Sequence, residues 1–555
     1  MLKKRFICLF VLYVFLFPSF AVGQTEIYQA SPEVIDRIKD EGMNRSQVML
    51  TLSYLTDVIG GRLTGSPAMK RANEWTRDRM QEWGMENARL EAWGKFGRGW
   101  FLKKFSAQIT SPQVFPLIAY PKAWSPSTPG EITADVVLLE AENEADLEKY
   151  RGRLRGKIVL VSNMRSLEAD FEGMARRLTD KELLDLANAP DPAARESRPR
   201  SPEQINRFMK RFVGNINRAK FLLAEGAAVL VDNSFAGSGG TIFVSGASVA
   251  NDIPADPLKL IAEDLLRPYQ KEAEAKMLPQ MTMATEDYNR LVRMIKQGEN
   301  LRMTVDLEAG YDDRDPLAYN TLAEIPGTDL KDEIVMLGGH LDSWHSGTGA
   351  TDNAAGCAVV MEAARILLAA GLKPRRTIRV GLWSGEEQGL LGSRHYVFKH
   401  FGIRDDINPL FFGNTQMGGL EKKADYDKLS AYYNLDNGGG RIRGVYLQGN
   451  SAVAPIFRQW MAPFAGMGAT TLSLSETFGT DHLSFDAVGI PGFQFIQDQI
   501  EYNTRSHHSN QDNFDRLQAD DLKQASVIMA AFVYQTAMMD EKIPRKPAPR
   551  ADSQK

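Results

Sequence analysis

An α/β fold is what the sequence predicts: a doubly wound, mainly parallel sheet with helices on both faces, and ahead of it a smaller inserted β-rich unit. Three observations carry that prediction. After about residue 300, strand-like and helix-like runs alternate, the pattern of a sheet covered on both sides. The chain has 555 residues, too many for one ordinary core. All seven histidines, at 340, 345, 395, 400, 482, 507 and 508, lie in the alternating part, which places the chemistry in one domain.

The elements follow in chain order. Residues 1–23 combine a basic start, an apolar run and small residues before Gln24, the pattern of a secretory signal cleaved after Gly23. The run is short and contains Pro18, which argues against a membrane anchor. Since no later run is long and apolar enough to insert stably in a membrane, an exported protein, periplasmic or extracellular, is expected. Of the two cysteines, Cys8 belongs to the signal, so Cys357 is left without an internal partner. Residues 24–123 read as a mostly helical N-terminal part of the main domain, with the loop IGGRLTGSP and a Trp-rich stretch up to about residue 101. Residues 124–300 change texture. A Pro- and Ser-rich lead runs into the β-like TADVVLLE, LRGKIVLVS, EGAAVLVDNS and GGTIFVSG, with a helix-favouring surface insert near 165–210.

Residues 301–541 form the main α/β part. DEIVMLGGHLDS reads as a strand, and DNAAGCAVVMEAARILLAAG as a helix capped by Thr351 or Asp352 and stopped by Gly371. RRTIRVGLWSG and KLSAYYNLDNGGG supply two more strands, each followed by a helical run. Residues 542–555 are expected to be disordered. A net charge of -4 and a pI near 6.1 leave no basic footprint, so no nucleic-acid partner is expected.

WSGEEQGLLGS sets Glu386 and Glu387 side by side at a strand end, with no Lys or Arg beside them. Neighbouring carboxylates raise each other's pKa, so the pair reads as an exposed turn, an acid/base pair or a metal site. Other strand ends add donors. His340 ends one strand with Asp342 two places on, Asp352 opens the next helix, Asp436 lies in YYNLDNGGG, and His507 and His508 lie near the end of the core. Ligands of a doubly wound sheet gather at the carboxyl ends of its strands. Two divalent cations would make the paired glutamates tolerable. Imidazole and carboxylate without thiolate suit zinc or another first-row ion. Asp342 suits orientation of His340, and a helix cap is the competing role for Asp352. The glycines after Asp436 read as a tight turn, since no Lys-Ser/Thr of a phosphate loop follows.

Taken in order, HLDSWHSGTGATDNAAG, WSGEEQGLLGS, YYNLDNGGG and HHSNQD resemble the co-catalytic zinc exopeptidases of metallopeptidase family 28. The resemblance covers residues 305–540. The middle segment is similar to the protease-associated domain often inserted in such enzymes. The resemblance implies that His340 and Asp436 hold one zinc and Glu387 and His508 the other, with Asp352 as the bridge. It implies Glu386 as general base and Asp342 as the residue that orients His340. His508 is chosen over His507 because Ser509 and Asp512 follow it as the family pattern requires; Asn513 departs from the usual threonine. His482 is a candidate oxyanion donor or substrate contact, with a structural hydrogen bond to Asp481 as its competing role, and Tyr502 is a second candidate.

The activity implied is hydrolysis of a terminal bond of short peptides by metal-activated water. Aminopeptidase or dipeptidase action is the favoured form, with a carboxypeptidase of the glutamate carboxypeptidase or carboxypeptidase Q type as the alternative. An inactive binding scaffold and a single-zinc glutaminyl cyclase are both disfavoured by the complete ligand set. Arg441, Arg443 and Arg505 flank the motifs as candidates for binding a substrate carboxylate, or as solvated rim charges. Peptides are the expected partners, and the oligomeric state stays open, a homodimer included.

Overall fold

The computed structural model describes residues 27–194, 201–253, 265–404 and 419–546. The expected signal, 1–23, lies outside them. Two eight-stranded sheets organise these residues.

The first sheet positions the chemistry. Its centre is four parallel strands, in the order Arg376–Trp383, Leu330–His340, Leu429–Asn434 and Gly492–Gln497. The register sets His340 opposite Trp383, Gly338 opposite Asn434 and Asn434 opposite Gln494, so the strands reach one rim together. Strands buried on both faces read as continuous apolar runs, and residues 334–340 are all buried. Alternation then divides them. Val335 and Leu337 enter the core under the helices Ala355–Ala369 and Ala519–Met538, while Ile334 and Met336 enter the core with Trp383, Tyr396 and Phe485 on the other face. Beyond that centre the pairing is antiparallel except at the outermost strand, Thr471–Ser473, which runs parallel to Ile442–Tyr446. Leu317–Ile325 pairs antiparallel with Arg376–Trp383, Glu86–Lys95 with Leu317–Ile325, and Ile442–Tyr446 with Gly492–Gln497. The sheet is therefore mixed, and the expected parallel order holds for its centre.

In chain order the second sheet's unit opens with Gly99–Ser111 and closes with Arg302–Asp312, long strands that pair antiparallel as neighbours. Beyond Arg302–Asp312 the sheet continues with Ile132–Leu138, Ile158–Leu160, Val229–Asn233 and Gln280–Met283, in the order expected from three of the β-like runs. Helices Pro202–Glu225 and Thr285–Lys296 cover it, the first with Leu222 and the second with Tyr288, Leu291 and Val292 in the cores beneath.

Several expectations need correction. Residues 24–123 are helical only as far as Pro67–Glu82, which takes in the start of the Trp-rich stretch; Gly84, at φ 94, turns the chain out of the helix, and the rest of that stretch, from Glu86, becomes strands in both sheets. The fourth β-like run, GGTIFVSG, makes only isolated bridges. Asp352 does not cap the helix after it, which starts at Ala355 without a side-chain cap; Asp352 has φ -136 and ψ 86, and the Asp352–Asn353 peptide is cis. The insert near 165–210 contributes the helix Asp180–Ala187, closed by a Thr179–Glu182 capping box, and Arg177 Nη1 reaches Asp498 and Asp521 of the first unit at 2.9 and 2.7 Å. Residues 542–546 are packed rather than disordered: Ile543 is 2% exposed and its N–H donates to Ser430 Oγ, and Lys546 pairs with Asp486 at 2.7 Å. The remaining tail, 547–555, lies outside the described residues. No helix among the described residues is long and apolar enough to cross a membrane.

Candidate metal centre

The common rim of the four central strands brings the sequence-predicted donors together. His340 is the last residue of its strand, Glu386 and Glu387 follow Trp383, and Asp436 comes two residues after Asn434. The turn after Asp436 needs its glycines. Gly438 lies at φ 87 against the Tyr502 ring, and a Cβ on Gly440 would stand 1.9 Å from the Asp498 carbonyl oxygen.

Asp352 stands between two sets of donors. Its Oδ1 lies 3.1 Å from His340 Nε2, which is also 3.3 Å from Asp436 Oδ1. Its Oδ2 lies 3.2 Å from His508 Nε2, which is 2.9 Å from Glu387 Oε2. Glu386 stands further back, with Oε2 at 3.9 Å from His340 Nε2. His507 Nε2 lies 3.7 Å from Asp352 Oδ2, so His508 is the better placed of the two neighbours.

These residues fit cations. His340 Nε2, Asp352 Oδ2, Glu387 Oε1 and Asp436 Oδ1 are all buried without a hydrogen-bond partner, which is costly unless something else satisfies them. Ligand atoms about 2.0–2.2 Å from one tetrahedral ion stand roughly 3.3–3.6 Å apart, close to the separations seen here. His340–Asp352–Glu387 and Asp352–His507–His508 each gather within the reach of one ion.

Supporting groups fix these side chains. His340 Nδ1 donates to the main-chain oxygen of Asp342 at 3.0 Å, while the Asp342 carboxylate is 3.7 Å away. Asp342 thus orients His340 through its backbone, contrary to the expected carboxylate contact. Its carboxylate is engaged elsewhere, accepting from Thr64 Oγ1 at 2.9 Å and from the N–H groups of Glu386 and Glu387 at 3.2 and 3.3 Å. That ties the paired-glutamate turn to the His340 strand. Arg62, wholly buried, donates to the carbonyls of Leu341, Thr348 and Gly349 and so braces the loop between His340 and Asp352. Asp512 accepts from the N–H groups of Thr351 at 2.6 Å and Asp352 at 3.1 Å. Arg62 and Thr64 lie in IGGRLTGSP, where a guanidinium beside glycines was the available signal for a backbone brace.

The remaining candidates separate. His482 is buried, and its Nε2 bonds run to Gln448 and Thr477, not to the donor cluster or Asp481; burial pushes its pKa down to about 3. It is a structural residue. Asp481 is the neighbour that feels the cluster: burial, with the charges of Asp436 and Asp342 added, pushes it up to about 7. The Tyr502 ring packs against that of His507 in a tilted arrangement, centroids 4.6 Å apart, and burial together with the Asp352, Asp436 and Glu387 charges holds its phenol protonated.

A description of peptidase family M28 matches residues 320–533, a stretch that contains His340, Asp352, Glu386, Glu387, Asp436 and His508. Residues 320–533 thus carry a peptidase family M28 domain. The chain is similar to carboxypeptidase Q of Mus musculus, with 25% identity over 93% of the chain and 91% of the relative. Its fold resembles that of a peptidase M28 precursor from Shewanella amazonensis SB2B, at TM-score 0.61 and 24% identity over 93% of this chain and 98% of that one. It also resembles a zinc aminopeptidase from Bacillus subtilis, at TM-score 0.52 and 18% identity over 89% and 96%. With this domain the protein is a metallo-exopeptidase, a hydrolase of peptide bonds.

The packed carboxylates imply a pH effect in the chelated protein. Burial and the Asp352 charge push Glu387 up to about 7, and burial with Asp352 does the same to Asp512. Burial opposes protonation of His508, but Glu387 and Asp352 outweigh it and carry its pKa up to about 11. In the unfolded chain the carboxyls titrate near about 4 and the imidazole near about 6.5. Across both windows the folded state holds more protons than the unfolded one, so rising pH favours unfolding. The melting temperature of chelated protein is expected to fall by roughly 5 °C or more from pH 5 to 8, and that of cation-loaded protein to fall far less. Equal slopes in scanning calorimetry would contradict this packing.

Proposed function

We propose that this exopeptidase is a two-zinc aminopeptidase or dipeptidase acting on short unblocked peptides. The observation that carries the reading is the bridging position of Asp352, with one oxygen toward His340 and Asp436 and the other toward Glu387 and His508. The two bound zincs would polarise the scissile carbonyl and acidify water. Glu386 would take the proton of the attacking water on a carboxylate oxygen and return it to the leaving amine. Burial raises the Glu386 pKa well above the usual value, His340 opposing and Asp436, Asp481 and Glu387 adding to the rise, which suits a group that must hold that proton for part of the cycle. Tyr502, kept as a phenol, remains the candidate donor to the substrate oxygen.

The end preference rests on the arginines. A terminal carboxylate calls for a free guanidinium. Arg441 is paired with Asp521 at 3.1 Å, Arg443 with Asp498 at 2.9 Å and Arg505 with Glu501 at 3.4 Å. The carboxypeptidase alternative is favoured by the name of the Mus musculus relative. The two readings separate on three dipeptides: free, N-acetylated and C-amidated. Cleavage of the free and amidated forms alone supports the aminopeptidase reading, and cleavage of the acetylated one reverses it.

We further propose that the protein is exported, and that the second sheet is a protease-associated domain, running from about residue 99 to 312 rather than from 124 to 300. Its insert, anchored through Arg177, would limit the site to short or flexible peptides.

A further inference from the structure

The run GGTIFVSG joins neither sheet, yet its backbone is not left unpaired. It leaves the second unit and lies along the loop that carries His508. Ile242 N–H donates to Asn510 Oδ1 at 2.7 Å, and Asn510 N–H donates back to Ile242 O at 3.1 Å. Asn510 Nδ2 donates to Gly240 O at 3.2 Å. Val244 N–H donates to the carbonyl of His508 itself at 3.2 Å, and Phe243 faces Ser509 in an antiparallel bridge. Ile242 is wholly buried at this junction.

The loop held there is unusual. His508 has φ 59, in the left-handed region that side chains with a Cβ avoid. Such a conformation persists where its surroundings over-determine it. Nothing in HHSNQD supplies a glycine to relieve it. In that conformation Nε2 of His508 stands 2.9 Å from Glu387 Oε2 and 3.2 Å from Asp352 Oδ2.

We infer that residues 240–244 of the second unit, acting through Asn510, are the positioning element for His508, so that the centre on the first sheet is completed only when the second unit is docked. The inference rests on the proposed role of His508 as a ligand. Asn510 touches none of the donor atoms and is a positioning residue. Removing its side chain leaves Ile242 N–H and Gly240 O without these bonds and frees the His508 backbone to relax toward a negative φ. Partners of metal ligands commonly change affinity by about 10- to 100-fold. The coupling is reciprocal: a cation that fixes His508 also fixes the loop of the second unit.

The test uses the full-length protein without its signal. Zinc per chain and the rate at which a chelator removes it are measured for wild type, His508→Ala, Asn510→Ala and Arg177→Ala, with thermal unfolding of each chelated form. Arg177→Ala cuts a different tie between the units, to Asp498 and Asp521, without touching the His508 loop. Amide hydrogen exchange of Ile242 and Val244 is followed in wild type with and without zinc. We expect His508→Ala to lose one zinc, Asn510→Ala to release zinc at least about 10-fold faster, Arg177→Ala to match wild type, and both amides to exchange faster after chelation. Two zincs at wild-type retention in His508→Ala would remove the ligand assignment itself. With that assignment intact, the inference is overturned by wild-type release from Asn510→Ala, or by equally fast release from Arg177→Ala, which would point to docking in general. If Asn510→Ala does not fold, amide exchange decides alone, and rates unchanged by zinc overturn the inference.

Discussion

Replacing Glu386 by Gln is expected to lower turnover by about 10³-fold while both cations stay bound. The substitution keeps the shape and removes the basic oxygen. Glu386 is set back from the donor pairs, 3.9 Å from His340 Nε2, and its side chain is only 9% exposed, so bulk water is a poor substitute for it. The neighbouring Glu387 is the contrasting case: its Oε2 is 2.9 Å from His508 Nε2, and Glu387→Gln is expected to lose metal as well as activity. Single-turnover kinetics beside metal analysis distinguish the two. Turnover within tenfold of wild type in the Glu386 variant would place the base elsewhere, and Asp481 would be the next buried carboxylate to replace.

Asp352→Ala should have the larger effect on metal content. One carboxylate faces both donor pairs, so its loss weakens both sites, whereas Asp436→Ala removes a donor from one. Native mass spectrometry is expected to find fewer than one cation per chain in Asp352→Ala and about one in Asp436→Ala, with activity of the former down by at least about 10³-fold. A full pair of cations in Asp352→Ala would exclude the bridging arrangement. The backbone there remains anchored, because Asp512 binds the N–H groups of residues 351 and 352 rather than the side chain that is removed.

Three of the four central strands were legible because their apolar runs end next to ligand-capable residues, and register brings those ends to one rim; the fourth, Gly492–Gln497, adds none of the donors and was not foreseen. What lay outside that pattern was harder to read. The helix after Asp352 looked capped because an acidic residue precedes an apolar periodic run, but the carboxylate is drawn toward His340 and His508. The Trp-rich stretch contains more helix formers than strand formers, and past Glu82 pairing with Leu317–Ile325 and Arg302–Asp312 overrides that propensity. GGTIFVSG has the composition of a strand, and only tertiary contact tells that its partner is a histidine loop about 270 residues away. The role of Arg62 had a faint signal in its glycine-flanked loop. That of Asn510 had none, since one asparagine in a polar turn is common. His482 stood beside an aspartate; both are wholly buried, and it is Asp481 that feels the charges of the cluster while His482 is bonded to Gln448 and Thr477.

Cys357 is the one cysteine among the described residues. It is wholly buried, its thiol donates to the His340 carbonyl at 3.0 Å, and burial pushes its pKa up to about 12, so it is unreactive. No covalent cross-link is therefore available to residues 27–546. The donor set spans His340 to His508 in sequence, and bound cations would close that long loop much as a disulfide closes one, by shrinking the unfolded ensemble's freedom wherever the ligands remain attached. Unlike a disulfide, such a staple is indifferent to thiols and opens to a chelator. The protein's durability outside a reducing environment would then follow the supply of divalent metal rather than the redox potential around it.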